Sequence, residues 1–169
     1  TGALIFAKSQ ETKNKLIQLF EEKKIKKTYY ALCEGVPTKK KGVIENFLGP
    51  IKKLPGQTLQ GVCKAGQGKS AKTIWELKLC TNTCSLFHLQ IITGRTHQIS
   101  CHLSQMRCPI LGDSLYGKKF LSPYISLRPM LHAFSLEFSF EEEKIRTKAP
   151  INEDFLVILK KLDKNKKAQ

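Results

Sequence analysis

Two runs in the middle of the chain, AKTIWELKLC (71–80) and CSLFHLQIIT (84–93), alternate apolar and polar side chains across a short Thr-Asn-Thr break. A period of two on both sides of a polar break predicts an antiparallel hairpin. The same alternation predicts strands over VIENF (43–47) and LHAFSLEFSF (131–140). TYYALCEG (28–35) is rich in β-formers and closes on Gly35, and ALIFAK (3–8) reads as a short buried strand. Helical spacing appears in three places. After Ser9, a capping residue, Leu16, Leu19 and Phe20 share one face and lysines the other. A second helix is expected over 96–106. A third follows Asn152, with Phe155, Leu156, Leu159 and Leu162 inward. VPTKKKG (36–42) is a turn carrying a lysine run, and CPILGDSLYG (108–117) a loop with two glycine turns. Residues 49–70 hold Gly, Pro, Gln and Lys with little periodicity, which fits a long basic loop or an irregular hairpin. Residues 163–169 read as a flexible tail. No repeat and no second domain is visible, so residues 1–169 are expected to form a single α+β domain.

Composition narrows the partners. The chain is 41% hydrophobic and 25% charged, which is globular, and its net charge is +15. Such a basic surface suits a polyanion, most often a nucleic acid, with a merely solvated lysine surface as the plain alternative. The six cysteines form no C-x-x-C pair, so a zinc site is not expected. They read as reduced core residues of a cytoplasmic protein. No apolar run approaches the ~20 residues of a membrane span.

Candidate chemistry centres on IITGRTHQIS (91–100). Gly94 breaks an apolar run and Arg95 stands at the head of the next helix, where the helix dipole repels a cation. A guanidinium there calls for an anion, either an RNA phosphate or a buried carboxylate that it could hold by two parallel bonds. His97 and His102 are five residues apart and share no helical face, so ordinary hydrogen bonding fits them better than a metal. Asp113, flanked by glycine and serine, reads as a turn residue. Tyr29 and Tyr30 point to opposite faces of their strand, so one belongs to the core and the other is available to stack on a base.

Four segments in order resemble the RluA-type pseudouridine synthases along nearly the whole chain. TGRTHQIS (93–100) is similar to that family's T-G-R-T-H-Q-I-R, and KTYYALCEG (27–35) to its K-x-Y-x-A segment. CPILGDSLYG is similar to its P-I-x-G-D-x-x-Y-G, and LHA (131–133) to a further signature. Ser100 departs from the pattern, standing where the family has arginine. The resemblance implies a mixed, mainly antiparallel sheet with flanking helices and an isomerisation of uridine to pseudouridine in rRNA or tRNA, without metal or cofactor. Thr1 and Gly2 look like the end of the family's H-R-L-D-x-x-T-S-G, so the nucleophilic aspartate is expected just upstream of Thr1, and residues 1–169 alone are expected to be inactive. That aspartate would attack the ribose or assist glycal formation. By the same resemblance Arg95 and Tyr29 are catalytic. Arg95 would aim the aspartate, and Tyr29 would stack on the base and help remove the carbon-5 proton. Thr93, Gly94, Thr96, His97, Gln98, Lys27, Lys39, Lys40 and Lys41 would bind the substrate. The partner would be RNA, the protein a cytoplasmic monomer, and the alternative a non-catalytic RNA-binding protein on a synthase fold.

Overall fold

The computed structural model describes residues 1–117 and 123–165. A seven-stranded sheet runs β3–β2–β4–β5–β1–β6–β7. The strands are β1 (Lys26–Glu34), β2 (Lys41–Leu54), β3 (Gln57–Cys63), β4 (Lys69–Cys80), β5 (Cys84–Ile91), β6 (Leu131–Phe140) and β7 (Glu143–Lys148). Neighbouring strands are all antiparallel, and a single bridge, Gly2 to Ala133, adds a parallel contact. The α+β reading therefore holds, with a mainly antiparallel sheet and three helices: α1 (Gln10–Glu21), α2 (Gln98–Gln105) and α3 (Glu153–Lys164).

Cross-strand partners share a face. Lys27, Ile91 and Thr73 lie in one row, and Tyr29, Leu89 and Trp75 in the next. α1 covers this face through Leu16, which clusters with Leu136, and α2 covers it through His102, which bonds Thr73. Tyr30 faces the other way with His88 and His132. There the His132 ring meets Phe155 of α3 at 6.4 Å. A register shift in the β1–β6 ladder leaves Phe134 unpaired, and its ring packs edge-on against Tyr30 at 4.9 Å. β1 is the spine of the core: Ala31, Leu32 and Cys33 are fully buried.

Several expectations change. ALIFAK is not a strand. Ala3 donates one backbone bond to Ala133, and Ala3 and Ile5 pack beside Leu16, but Leu4 and Phe6 are 72% and 80% exposed. The alternation is real, yet only one side of the segment is covered. Residues 49–70 resolve as the irregular hairpin rather than a loop, with a register shift between Pro50 and Lys52. α2 starts at Gln98, two residues later than expected, because His97 adopts a left-handed backbone (φ 53°) that cannot continue a helix. In α3 the buried residues are Phe155, Ile158 and Leu162, while Leu156 and Leu159 are half-buried, and Asn152 makes no side-chain cap. Asp163 and Lys164 belong to the last turn of α3 rather than to a tail, and 166–169 lie outside the described residues. β7 was invisible to patterning because EKIRTK carries one half-buried position among exposed ones, which suits an outermost strand.

α2 is tied to the sheet by a polar chain. His102 is fully buried; its Nδ1 lies 2.8 Å from the Thr73 hydroxyl and its Nε2 3.0 Å from Asn46 Oδ1. A neutral ring that donates from Nε2 and accepts at Nδ1 satisfies both partners. Burial pushes His102 down to about 4 from its ordinary 6.5. The unfolded chain thus takes up this proton near pH 6.5 and the folded one only near pH 4, so stability falls as pH drops through that window, by up to about 3 kcal/mol. Urea unfolding at pH 7 and pH 4 should show a smaller acid loss in His102→Asn than in wild type, and equal losses would mean that folded His102 is already charged.

Candidate active site

The end of the sheet where β1 starts and β5 finishes carries the sequence-predicted catalytic residues. Lys27 and Tyr29 are two residues apart on β1 and so project to one face. Tyr29 lines a hollow of about 340 Å³ with Phe20, Leu16 and Leu136. Tyr30 instead packs between His88 and Phe134. Of the two tyrosines, Tyr29 is therefore the one open to a ligand. Burial raises its hydroxyl above the ordinary value, so the phenol keeps its proton at neutral pH.

Lys27 is buried, with its ammonium 5.2 Å from the centre of the Phe20 ring. A β-carbon placed on Gly94 would lie 3.9 Å from Lys27 Nζ. Burial, and then the nearby Arg95 guanidinium, push Lys27 below its ordinary value. Two cations thus converge, and among the described residues neither has a carboxylate within ion-pair distance. They share a second hollow of about 470 Å³ with Phe20, Lys23 and Thr93.

Arg95 is held from behind. Its Nε donates to the Ser70 carbonyl at 2.8 Å. The loop before α2 is fixed by Gln98, which is almost wholly buried. Its Oε1 accepts from the Thr93 hydroxyl (2.7 Å) and the Arg95 backbone N–H (3.0 Å). Its Nε2 donates to the Lys72 carbonyl (3.1 Å) and the Thr73 hydroxyl (2.9 Å). All four bonding positions of the carboxamide are used. Gln98, expected to bind substrate, therefore sits beneath the loop, and so does Thr93, whose hydroxyl also accepts from Lys72 N–H. Gly94, Thr96 and His97 are exposed on the loop itself. His97 Nδ1 lies 3.1 Å from the Tyr116 hydroxyl.

Lys39, Lys40 and Lys41 are not brought to this end. Lys41 pairs with Glu76, whereas the opposite part of β2, at Leu48, pairs with Lys69 beside the Arg95 loop. Lys69, one of the lysines of the basic 49–70 segment, lines a third hollow of about 400 Å³ with Arg95, and so do Gln60 and Gln67, which sequence reading missed. Their segment lacked periodicity, so nothing in it announced which side chains would face the loop. Asp113 accepts from the Leu115 and Tyr116 N–H groups at 3.1 Å, which is the expected turn. Ser100 is half-buried in the first turn of α2.

Residues 1–105 match the RNA pseudouridylate synthase family. A Zymomonas mobilis protein described as an uncharacterized RNA pseudouridine synthase is 34% identical over 92% of this chain and 70% of its own length. The chain belongs to the RNA pseudouridylate synthase family, RluA type. A large-subunit pseudouridine synthase C of Rickettsia prowazekii is 34% identical over 89% of this chain and 50% of that protein. The chain spans about half the length of most of the curated relatives it matches. The fold is similar to that of human RNA pseudouridylate synthase domain containing 4, with a TM-score of 0.74 and 24% identity over 92% of this chain and 69% of that one. In this chain the TGRTH segment is thus a loop, and Thr93 with Gln98 at the start of α2 builds the support from which Arg95 projects. Among the described residues no helix is long and apolar enough to cross a membrane, and no cluster of metal-ligating side chains occurs.

Gln98→Ala removes all four bonds at once. Partners left unsatisfied in a buried site cost about 1–3 kcal/mol. Urea unfolding should show a loss of at least that size, and a variant as stable as wild type would contradict the placement of Gln98 inside the fold.

Proposed function

We propose that this chain carries the substrate-facing part of an enzyme that isomerises uridine to pseudouridine in RNA. The observation that carries the proposal is the convergence of Lys27, Tyr29 and Arg95 on adjoining hollows, two cations beside one ring able to stack. The large-subunit synthase relatives favour rRNA over tRNA as the substrate. A target uridine has to leave its stack, which costs a few kcal/mol and is least costly in an unpaired loop. Its base would lie against Tyr29 and its phosphate, or the nucleophilic carboxylate expected upstream of Thr1, against Arg95 and Lys27. The glycosidic N1–C1′ bond breaks, the uracil turns, C5–C1′ forms, the proton on C5 leaves, and N1 takes up a proton from solvent. Because Tyr29 keeps its own proton, it would accept the C5 proton only while passing that proton on to solvent. Thr96 and His97 would meet the RNA strand from the exposed loop. No cofactor enters this scheme. The cysteines, held as thiols in or beside the core, suit the reducing cytoplasm, where the protein would act as a monomer.

In the full-length protein, Tyr29→Phe should keep near-normal RNA affinity while turnover falls by about 10²–10⁴-fold, the range of general acid–base effects. Tyr30→Phe should leave turnover nearly unchanged. Tritium release from 5-tritiated uridine RNA measures both. RNA bound with no release by the wild-type protein would favour the non-catalytic alternative, and damage from Tyr30→Phe alone would reverse the assignment.

Backbone neutralisation by lysines releases counterions, so affinity falls as salt rises. Changing Lys52, Lys53 and Lys69 together to glutamine should flatten the dependence of log affinity on log salt by up to about 2 in slope, at ~0.7 per single-strand contact. Changing Lys39, Lys40 and Lys41 should flatten it less, because β2 carries them away from the Arg95 loop. Binding titrations at several salt concentrations decide, and equal slopes for the two triple variants would put RNA along the whole of β2.

A further inference from the structure

We infer that the third hollow, between the β2–β3 hairpin and the Arg95 loop, binds the nucleotide adjoining the target uridine and reads its base. This rests on the synthase reading but goes beyond the catalytic residues. The three hollows form one trench. The Tyr29 hollow and the Lys27 hollow share Phe20 and Lys27, and the Lys27 hollow and the third share Gly94 and Arg95. A strand whose uridine lies against Tyr29 and whose phosphate meets Arg95 is therefore led over Gly94 into the third hollow. There is no side chain at Gly94 to block that crossing.

The lining suits a base. Gly49, Gly68 and Gly94 leave bare backbone, and the Pro50 ring gives a flat apolar surface. Two of these glycines are required by packing: a β-carbon on Gly68 would overlap Cys63 Sγ at 2.2 Å, and one on Gly49 would meet the Gln67 carbonyl at 2.8 Å. Polar recognition would come from the carboxamides of Gln60 and Gln67, two residues that line the hollow. Lys69 supplies a charge at the rim for the next phosphate. Gln60 is held in register by its neighbours. Its backbone N–H donates to the Tyr116 hydroxyl at 2.9 Å, and the Cys101 thiol of α2 lies 3.8 Å from its carbonyl oxygen. The base-reading strand is thereby tied to the helix that carries the Arg95 loop. A carboxamide presents a donor beside an acceptor and can pair bidentately with the N6/N7 edge of adenine, the base assigned to the hollow for the test.

The test uses the full-length protein and short single-stranded RNAs with one central uridine and randomised neighbours. Bound and unbound pools are sequenced, and pseudouridine is mapped in the same pools. The wild-type protein should enrich adenine at one position next to the uridine. Gln60→Ala and Gln67→Ala should each lower that preference by about tenfold, while modification of the favoured sequence continues. Neither residue belongs to the catalytic group, and neither side chain is buried in the core. A wild-type protein with no preference beside the uridine, or a preference that survives in both variants, would overturn the inference. An adenine preference that depends on both glutamines, with no pseudouridine formed, would sustain the hollow and defeat the synthase reading instead.

Discussion

One buried carboxamide holds the Arg95 end of this molecule together. Gln98 joins four groups that the chain delivers from different places: the carbonyl of Lys72 and hydroxyl of Thr73 on β4, the hydroxyl of Thr93 just past β5, and the N–H of Arg95. Each bond alone contributes little net stability, about 1 kcal/mol, but losing any partner inside the fold costs more. The effect is geometric as much as energetic. The loop between β5 and α2 turns through a left-handed His97 and keeps Arg95 half-exposed, and only a fully satisfied anchor beneath it fixes where the guanidinium points.

In the same region Lys23, Lys27 and Arg95 outnumber the one acidic residue, Glu21, that lines their hollow. Lys27 is buried on β1 and Arg95 on the loop faces it across Gly94, so each cation makes the other less comfortable. The Phe20 ring from α1 returns part of that cost through its negative face. An anion entering between the two cations relieves the rest. The site is thus arranged so that binding a phosphate or a carboxylate removes a repulsion already present, in addition to forming new contacts.

Much of this was legible in the sequence. Alternation located β4, β5 and β6, and the glycine break at Gly94 marked the loop that carries Arg95. Opposite projection of Tyr29 and Tyr30 followed from strand geometry and the choice of Tyr29 from the family resemblance; the packing of Tyr30 against Phe134, a consequence of an unpaired residue in β6, was not readable. Other features were not readable. Period and propensity do not reveal that Gln98 turns inward, since glutamine is ordinarily a surface residue. The lysine run 39–41 looked like the obvious phosphate contact, but the register of β2 against β4 decides its position, and register is a property of the pair rather than of either segment. The hairpin of residues 49–63 was legible only as one of two alternatives, beside a loop, because its ladder is irregular and gives no clear period.

The sheet also distributes rigidity unevenly across the trench. β1 is bonded on both sides, to β5 and β6, and its middle is wholly inaccessible to solvent. Beyond Leu48, β2 loses β4 and pairs with β3 alone. Amide hydrogens of β1 exchange with water only when the sheet as a whole opens, whereas those of residues 49–54 exchange through a local separation of two strands. The wall bearing Lys27 and Tyr29 keeps its shape, and the wall bearing the hairpin yields. Ligands of different shape, such as the RNAs of the proposed function, could then be accommodated by one side of the cleft without disturbing the atoms on the other.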